Sequence, residues 1–169
     1  MYLNIFKTFL TVVLLCSCAF AQGVIFKLPD GWEMNKNFSK KGEYLVFTPK
    51  SSGKHVIESL KVLVEKTNLN ADKFLGNNLS TIKKEYPDFK IYKPLYKTEE
   101  ALGLGCSSKG GFCIIQRTVK QDGSMYVYSY INTKPHYSQG LLGKWTNICA
   151  QIRTENELPL KENEEFFEL

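Results

Sequence analysis

Two runs, residues 112–120 and 124–133, constrain this chain more than any other feature. Both read as extended segments, and they meet at Gln121-Asp122-Gly123, where Asp-Gly is a strong signal for a tight hairpin turn. In the second run Met125, Val127, Ser129 and Ile131 alternate with Tyr126, Tyr128 and Tyr130. Strand side chains point alternately to the two faces, so one face of this strand is a row of three tyrosines.

Upstream, residues 24–28 read as a short strand entering a turn at Pro29-Asp30-Gly31-Trp32, and residues 44–48 as a strand stopped by Pro49. The run 55–66 fits a helical face through Val56, Leu60, Leu63 and Val64 and also a strand alternation. Its β-branched content and the turn before it favour the strand. A helix begins at Asn70, an N-cap residue with Asp72 in the first turn. Ala71, Phe74, Leu75, Leu79, Ile82 and Tyr86 follow at three-and-four spacing, and Pro87 ends it. Residues 89–95 continue as an extended segment broken by Pro94. Glycines 103, 105, 110 and 111 suggest a loop around Cys106. Leu141, Leu142, Trp145, Ile148, Cys149 and Ile152 form one helical stripe of about four turns.

The first 21 residues have the three parts of a secretory leader: Lys7, an apolar run from 9 to 15, and Ala19-Phe20-Ala21, with cleavage expected before Gln22. The alternative is a lipoprotein anchored through Cys18, because Leu15-Cys16-Ser17-Cys18 resembles a lipobox. The apolar run falls short of the roughly 20 residues that span a bilayer, and the rest of the chain has no transmembrane segment. The expected organisation is a leader at 1–21, a single domain at 22–155 and an acidic, flexible tail at 156–169. Export leaves Cys106, Cys113 and Cys149 in an oxidising compartment. Cys106 and Cys113 flank a flexible polar segment and are the expected disulfide, with Cys149 the alternative partner for either.

Charge is divided along the chain. Residues 22–154 carry 20 basic and 11 acidic groups, a net +9, whereas from Glu155 onward six glutamates face Lys161 alone. A basic body attracts anionic surfaces through fields that salt screens. Eighteen of its cations are evenly spread lysines, and only Arg117 and Arg153 offer bidentate phosphate contacts, which excludes sequence-specific nucleic-acid recognition as a partner class.

No phosphate-binding loop, paired-histidine zinc signature or calcium loop is present, so no cofactor or metal is expected. A thiol nucleophile paired with His55 or His136 is the strongest enzyme hypothesis, and the cysteines argue against it. Cys149 sits on an apolar stripe and Cys106 has Cys113 as a partner. Tyr126, Tyr128, Tyr130 and Trp32 are candidate binding residues, because aromatic side chains give rigid contact area with polar tips. Packing of a helix on that face is the competing expectation.

The element order, with Leu28-Pro29-Asp30-Gly31-Trp32 near the start, resembles the PsbP/Mog-type α/β/α sandwich, an α+β fold in which an antiparallel sheet is flanked by helices. The resemblance covers most of residues 24–155; the cysteine segment and acidic tail lie outside it, and no ligand residue carries across. Proteins of this type serve as extrinsic assembly or binding subunits, or as bacterial lipoproteins and periplasmic proteins. Leader, cysteines, the lack of a catalytic motif and the resemblance together lead to the expectation of an exported, non-enzymatic binding or interaction module of a bacterium, secreted or periplasmic, for a partner protein or surface ligand, or for a host if export continues past the outer membrane. The alternatives are a small hydrolase or thiol enzyme, and a basic lipid-surface-binding protein.

Overall fold

The computed structural model describes residues 23–50, 58–96, 99–133, 140, 143–144, 152–154 and 164–168. In chain order the elements are β1 (Gly23–Phe26), β2 (Trp32–Met34), β3 (Tyr44–Pro49), β4 (Glu58–Lys66), α1 (Ala71–Glu85), β5 (Lys90–Tyr96), β6 (Glu100–Ser107), β7 (Phe112–Gln121), β8 (Ser124–Asn132), β9 (Arg153–Thr154) and β10 (Glu165–Glu168).

The hairpin expected from Asp-Gly is β7–β8. Gln121 faces Ser124 across it, so the turn has two residues, and Asp122 (φ 48) and Gly123 (φ 77) are both left-handed, as a primed turn requires. From this hairpin the sheet grows in both directions to seven strands, in the order β2-β3-β4-β8-β7-β6-β5, with every described pairing antiparallel. After β4 the chain crosses one face as α1, drops to the far edge as β5, and returns by a meander to place β8 against β4. The ambiguous run thus resolves as a strand over Glu58–Lys66, paired with β8 along its whole length.

α1 packs on one face of the sheet. Asn70 takes the extended N-cap conformation, but its side chain makes no capping bond; the first turn is fixed by Phe74 N–H on Asn70 O (3.0 Å) and by Thr118 Oγ1 donating to Ala71 O (3.1 Å). Ala71, Phe74, Leu75 and Leu79 are buried against Phe89, Ala101, Ile114, Met125 and Val127. The helix closes with Tyr86 N–H on Ile82 O at 2.8 Å, one residue before Pro87.

The loop expected around Cys106 is instead β6, and the glycines explain the difference. Gly103 and Gly105 point at the helix layer. A Cβ on Gly103 would lie 2.8 Å from Leu79 Cδ1, and one on Gly105 would lie 2.1 Å from Phe89 Cζ. They are glycine because neighbouring side chains occupy their Cβ space, not because the chain bends there. Of these four glycines, Gly110 and Gly111 belong to a turn. At the outer edge, β5 shifts register between Tyr92 and Leu95, which accommodates Pro94 where an edge strand tolerates a missing N–H.

The opposite face of the sheet meets a small second sheet, ordered β10-β1-β9. Val24, Ile152 and Phe167 join Leu45, Phe47, Leu60, Val62, Leu104, Ile115 and the three tyrosines in one cluster. Phe167 meets Phe47 edge-on with ring centroids 4.9 Å apart. The C-terminal segment expected as a flexible tail therefore contributes a paired strand over Glu165–Glu168, because Phe167 supplies apolar area that the charge of the segment obscures. The expected helix over residues 141–152 lies almost wholly outside the described residues. Within it Gly143 and Lys144 are helical, and Ile152 is a non-helical, buried residue before β9.

Candidate functional site

The aromatic candidates come together, but in the interior. Tyr126, Tyr128 and Tyr130 have relative exposures of 3, 1 and 0 %. On the same face they lie beside Val64, Val62 and Leu60 of β4 and beside Val119, Arg117 and Ile115 of β7. Trp32, expected in a turn, begins edge strand β2 opposite Pro49 and joins the same buried cluster at 7 % exposure. The face therefore does not present an open aromatic surface: β8 is a central strand, and the small sheet rather than α1 packs against its tyrosine side. The sequence signal for this is the other face of β8, where Met125, Val127 and Ile131 are also apolar; a strand apolar on both faces is covered on both.

The row is tied to polar neighbours at Tyr130 and beside Tyr128. The Tyr130 hydroxyl donates to Glu58 Oε2 and accepts from Asn132 Nδ2 at 3.3 Å, and Glu58 Oε1 receives Lys144 Nζ at 2.6 Å. Arg117 places its guanidinium 5.9 Å from the Tyr128 ring centre and donates through Nε to Glu100 Oε1 at 2.8 Å. These contacts pair the Tyr130 hydroxyl, the Glu58 carboxylate and the Arg117 guanidinium at the border of the apolar core.

Cys106 and Cys113 stand directly opposite each other on β6 and β7 and form a disulfide, with Cα atoms 4.1 Å apart and both residues buried. The turn beyond them is held by a residue that sequence reading did not single out. Asp88 accepts Lys109 N–H and the Ser107 hydroxyl, each at 2.8 Å, and Ser107 Oγ accepts Gly110 N–H at 2.8 Å. The bond from Lys109, with that from Ser107 second, lowers the Asp88 pKa below its ordinary 3.8. A carboxyl whose pKa is lower in the folded state stabilises the fold above its unfolded value and loses that contribution as pH falls through the folded value. Asp88→Ala is therefore expected to lower Tm at neutral pH, with the difference from the parent disappearing as pH is taken below about 3.8 in thermal melts. A difference independent of pH across that range would show that the carboxylate does not hold the turn.

His55, His136 and Cys149, the groups of the thiol-enzyme hypothesis, lie outside the described residues. Among the described residues no group of three or more His, Cys, Asp or Glu is placed to hold a metal ion, and no helix is long and apolar enough to cross a membrane. A shallow depression of about 340 Å³ lies at the β7–β8 turn, lined by Lys66, Thr67, Asn68, Asp122, Gly123 and Ser124. Lys120 Nζ bonds Thr67 O behind it, which ties the start of the α1 connection to the hairpin.

The architecture is that of an α+β protein built on one large antiparallel sheet. Among solved structures it is similar to cyanobacterial PsbP (CyanoP) from Synechocystis, with TM-score 0.50 and 12% sequence identity over 82% of this chain and 95% of that one. A crystal structure from Bacteroides thetaiotaomicron matches at TM-score 0.41 and 11% identity, over 79% of this chain and 46% of that one. No protein-family model and no curated protein sequence matches the chain. The PsbP-like resemblance drawn from element order is thus found again in the three-dimensional fold, and at this identity the likeness is one of fold.

Proposed function

We propose that this chain is an exported, non-enzymatic binding or interaction module of a bacterium, secreted or periplasmic, directed at a partner protein or surface ligand. The observation that carries the reading is the buried Cys106–Cys113 disulfide across β6 and β7. Such bonds persist in oxidising compartments, and the reading is supported by a first stretch with the pattern expected of a secretory leader. Support for binding over catalysis comes from the side chains themselves. Tyr126, Tyr128, Tyr130, Trp32, Cys106 and Cys113 are committed to packing and cross-linking, while exposed lysines stand on the β2–β3 connection (Lys36, Lys40, Lys41) and on α1 (Lys73, Lys83, Lys84).

The intact mass of the protein recovered from its native host, non-reduced, before and after thiol alkylation, tests both halves. The expected mass begins at Gln22 and carries one disulfide, with Cys149 alkylating only on unfolding. An acyl group on Cys18 would replace the soluble form with a tethered lipoprotein. Rapid alkylation of a native thiol would overturn the non-enzymatic half.

A further inference from the structure

The connection between β2 and β3, residues 35–43, is a hydrogen-bonded mount for one exposed ring. Asn35 N–H bonds Val46 O at 2.7 Å, and the N–H groups of Phe38 and Ser39 both return to Asn35 O, at 3.1 and 3.0 Å. The Ser39 hydroxyl donates to the same carbonyl and accepts Val46 N–H, each at 2.9 Å, while Asn37 N–H closes on Asn35 Oδ1 at 3.2 Å. Phe38 stands at the tip, 55 % exposed, the largest exposure among the described large hydrophobic residues. Lys36, Lys40 and Lys41 flank it and are all exposed. The loop's single acid, Glu43, is bonded to Lys40 and raises its pKa, so the loop keeps a net positive charge. The β4–α1 connection emerges at the same end of the sheet, because Tyr44 at the start of β3 pairs with Leu63 near the end of β4. It adds a second exposed apolar residue, Leu69, and Lys66.

A lone exposed apolar side chain is ordinary. The setting of Phe38 is not: a fixed loop holds the ring outward between cations. We propose that this end of the sheet docks on an anionic lipid surface, with Phe38 entering the boundary between headgroups and acyl chains and Lys36, Lys40 and Lys41 meeting lipid phosphates. A ring at that depth recovers the apolar burial it lacks in the folded protein. Lysine stems lie along the interface while their ammonium groups stay at the phosphates, and each cation near such a surface is attracted by its negative potential. A protein interface of standard size buries about 800 Å² a side around a closed apolar centre. Separate apolar tips among cations match a lipid surface better. The proposal deepens the reading of the chain as a binding module and rests on it.

The test is co-sedimentation of the full protein, as recovered from its host, with vesicles of phosphatidylcholine alone and of phosphatidylcholine mixed with phosphatidylglycerol. Binding is expected only to the mixed vesicles and is expected to fall as salt rises. Phe38→Ala should weaken it at least about tenfold, and Lys36→Gln or Lys41→Gln about fivefold each. The pair Lys83→Gln/Lys84→Gln, on the last turn of α1, should leave it unchanged. Phe38 is exposed, so Tm should not move, and an unchanged Tm shows that lost binding is not lost folding. No binding to mixed vesicles, or equal binding by Phe38→Ala, overturns the proposal. Phe38-dependent binding to poly-glutamate without binding to vesicles overturns it in favour of an acidic protein partner and leaves the binding-module reading standing. The intact-mass measurement tests that reading separately.

Discussion

Tyr128→Ala is expected to lower the unfolding free energy by about 3–5 kcal/mol, the usual cost of removing a large aromatic ring from a packed core. The ring sits at the middle of the tyrosine row, 1 % exposed, with Val62 on one side and Arg117 on the other. Removing it opens a cavity between the large sheet and the small one, and neighbours held in two hydrogen-bonded strands can relax into it only in part. Tyr128→Phe keeps the ring and isolates the hydroxyl, and should cost no more than about 1.5 kcal/mol. Urea unfolding with an unchanged m-value would measure both. A loss below about 1 kcal/mol for the alanine variant, the size of a surface substitution, would place the ring outside the core and reopen the aromatic row as a contact surface.

Gly105→Ala is the second large effect, and here two opposing terms decide the sign. In an unhindered strand the change would stabilise the fold by about 0.4–1 kcal/mol, because alanine has less conformational freedom to lose. At this site the new Cβ would lie 2.1 Å from Phe89 Cζ and 2.5 Å from Cε1. Phe89 is itself buried and cannot move without disturbing the helix layer. Overpacking of this kind costs about 1–3 kcal/mol and sometimes more, so the net expectation is a loss of about 2 kcal/mol. In a Phe89→Leu background the same change should cost measurably less, and a double-mutant cycle reads that coupling directly. If Gly105→Ala stabilises the protein in both backgrounds, the glycine is not there for packing.

The parts of the fold that could be read from sequence are those where local chemistry and tertiary role agree. Asp122-Gly123 needs left-handed backbone at two consecutive positions and obtains it, and the three-and-four spacing of Phe74, Leu75 and Leu79 is the face that α1 buries. The misread segments are those where a residue's usual meaning was displaced by a distant neighbour. Gly103 and Gly105 have the composition of a loop, yet they lie in β6 because α1 and Phe89 occupy the space above them, and nothing within β6 encodes that. Glu165–Glu168 has the charge of a solvated tail, and its pairing depends on β1, more than 130 residues earlier in the chain. Of the proposed site residues, the disulfide could be read from Cys106 and Cys113 alone. The alternation in β8 groups the tyrosines on one face, but their burial depends on a small sheet assembled from segments far apart in the chain, β1, β9 and β10.

The two rims of the seven-stranded sheet have a further consequence. One is β2, three residues long, and the other is β5, interrupted by Pro94 and a register shift. An unpaired strand edge recruits other chains by offering a continuous row of N–H and C=O groups, and here one row is too short and the other is broken. The described edges of the sheet thereby resist growth by strand addition, which guards against fibrillar self-association. Under the proposed role, a partner would engage the turns and side chains at the ends of the strands, where selectivity depends on surface residues rather than on backbone pairing common to every extended peptide.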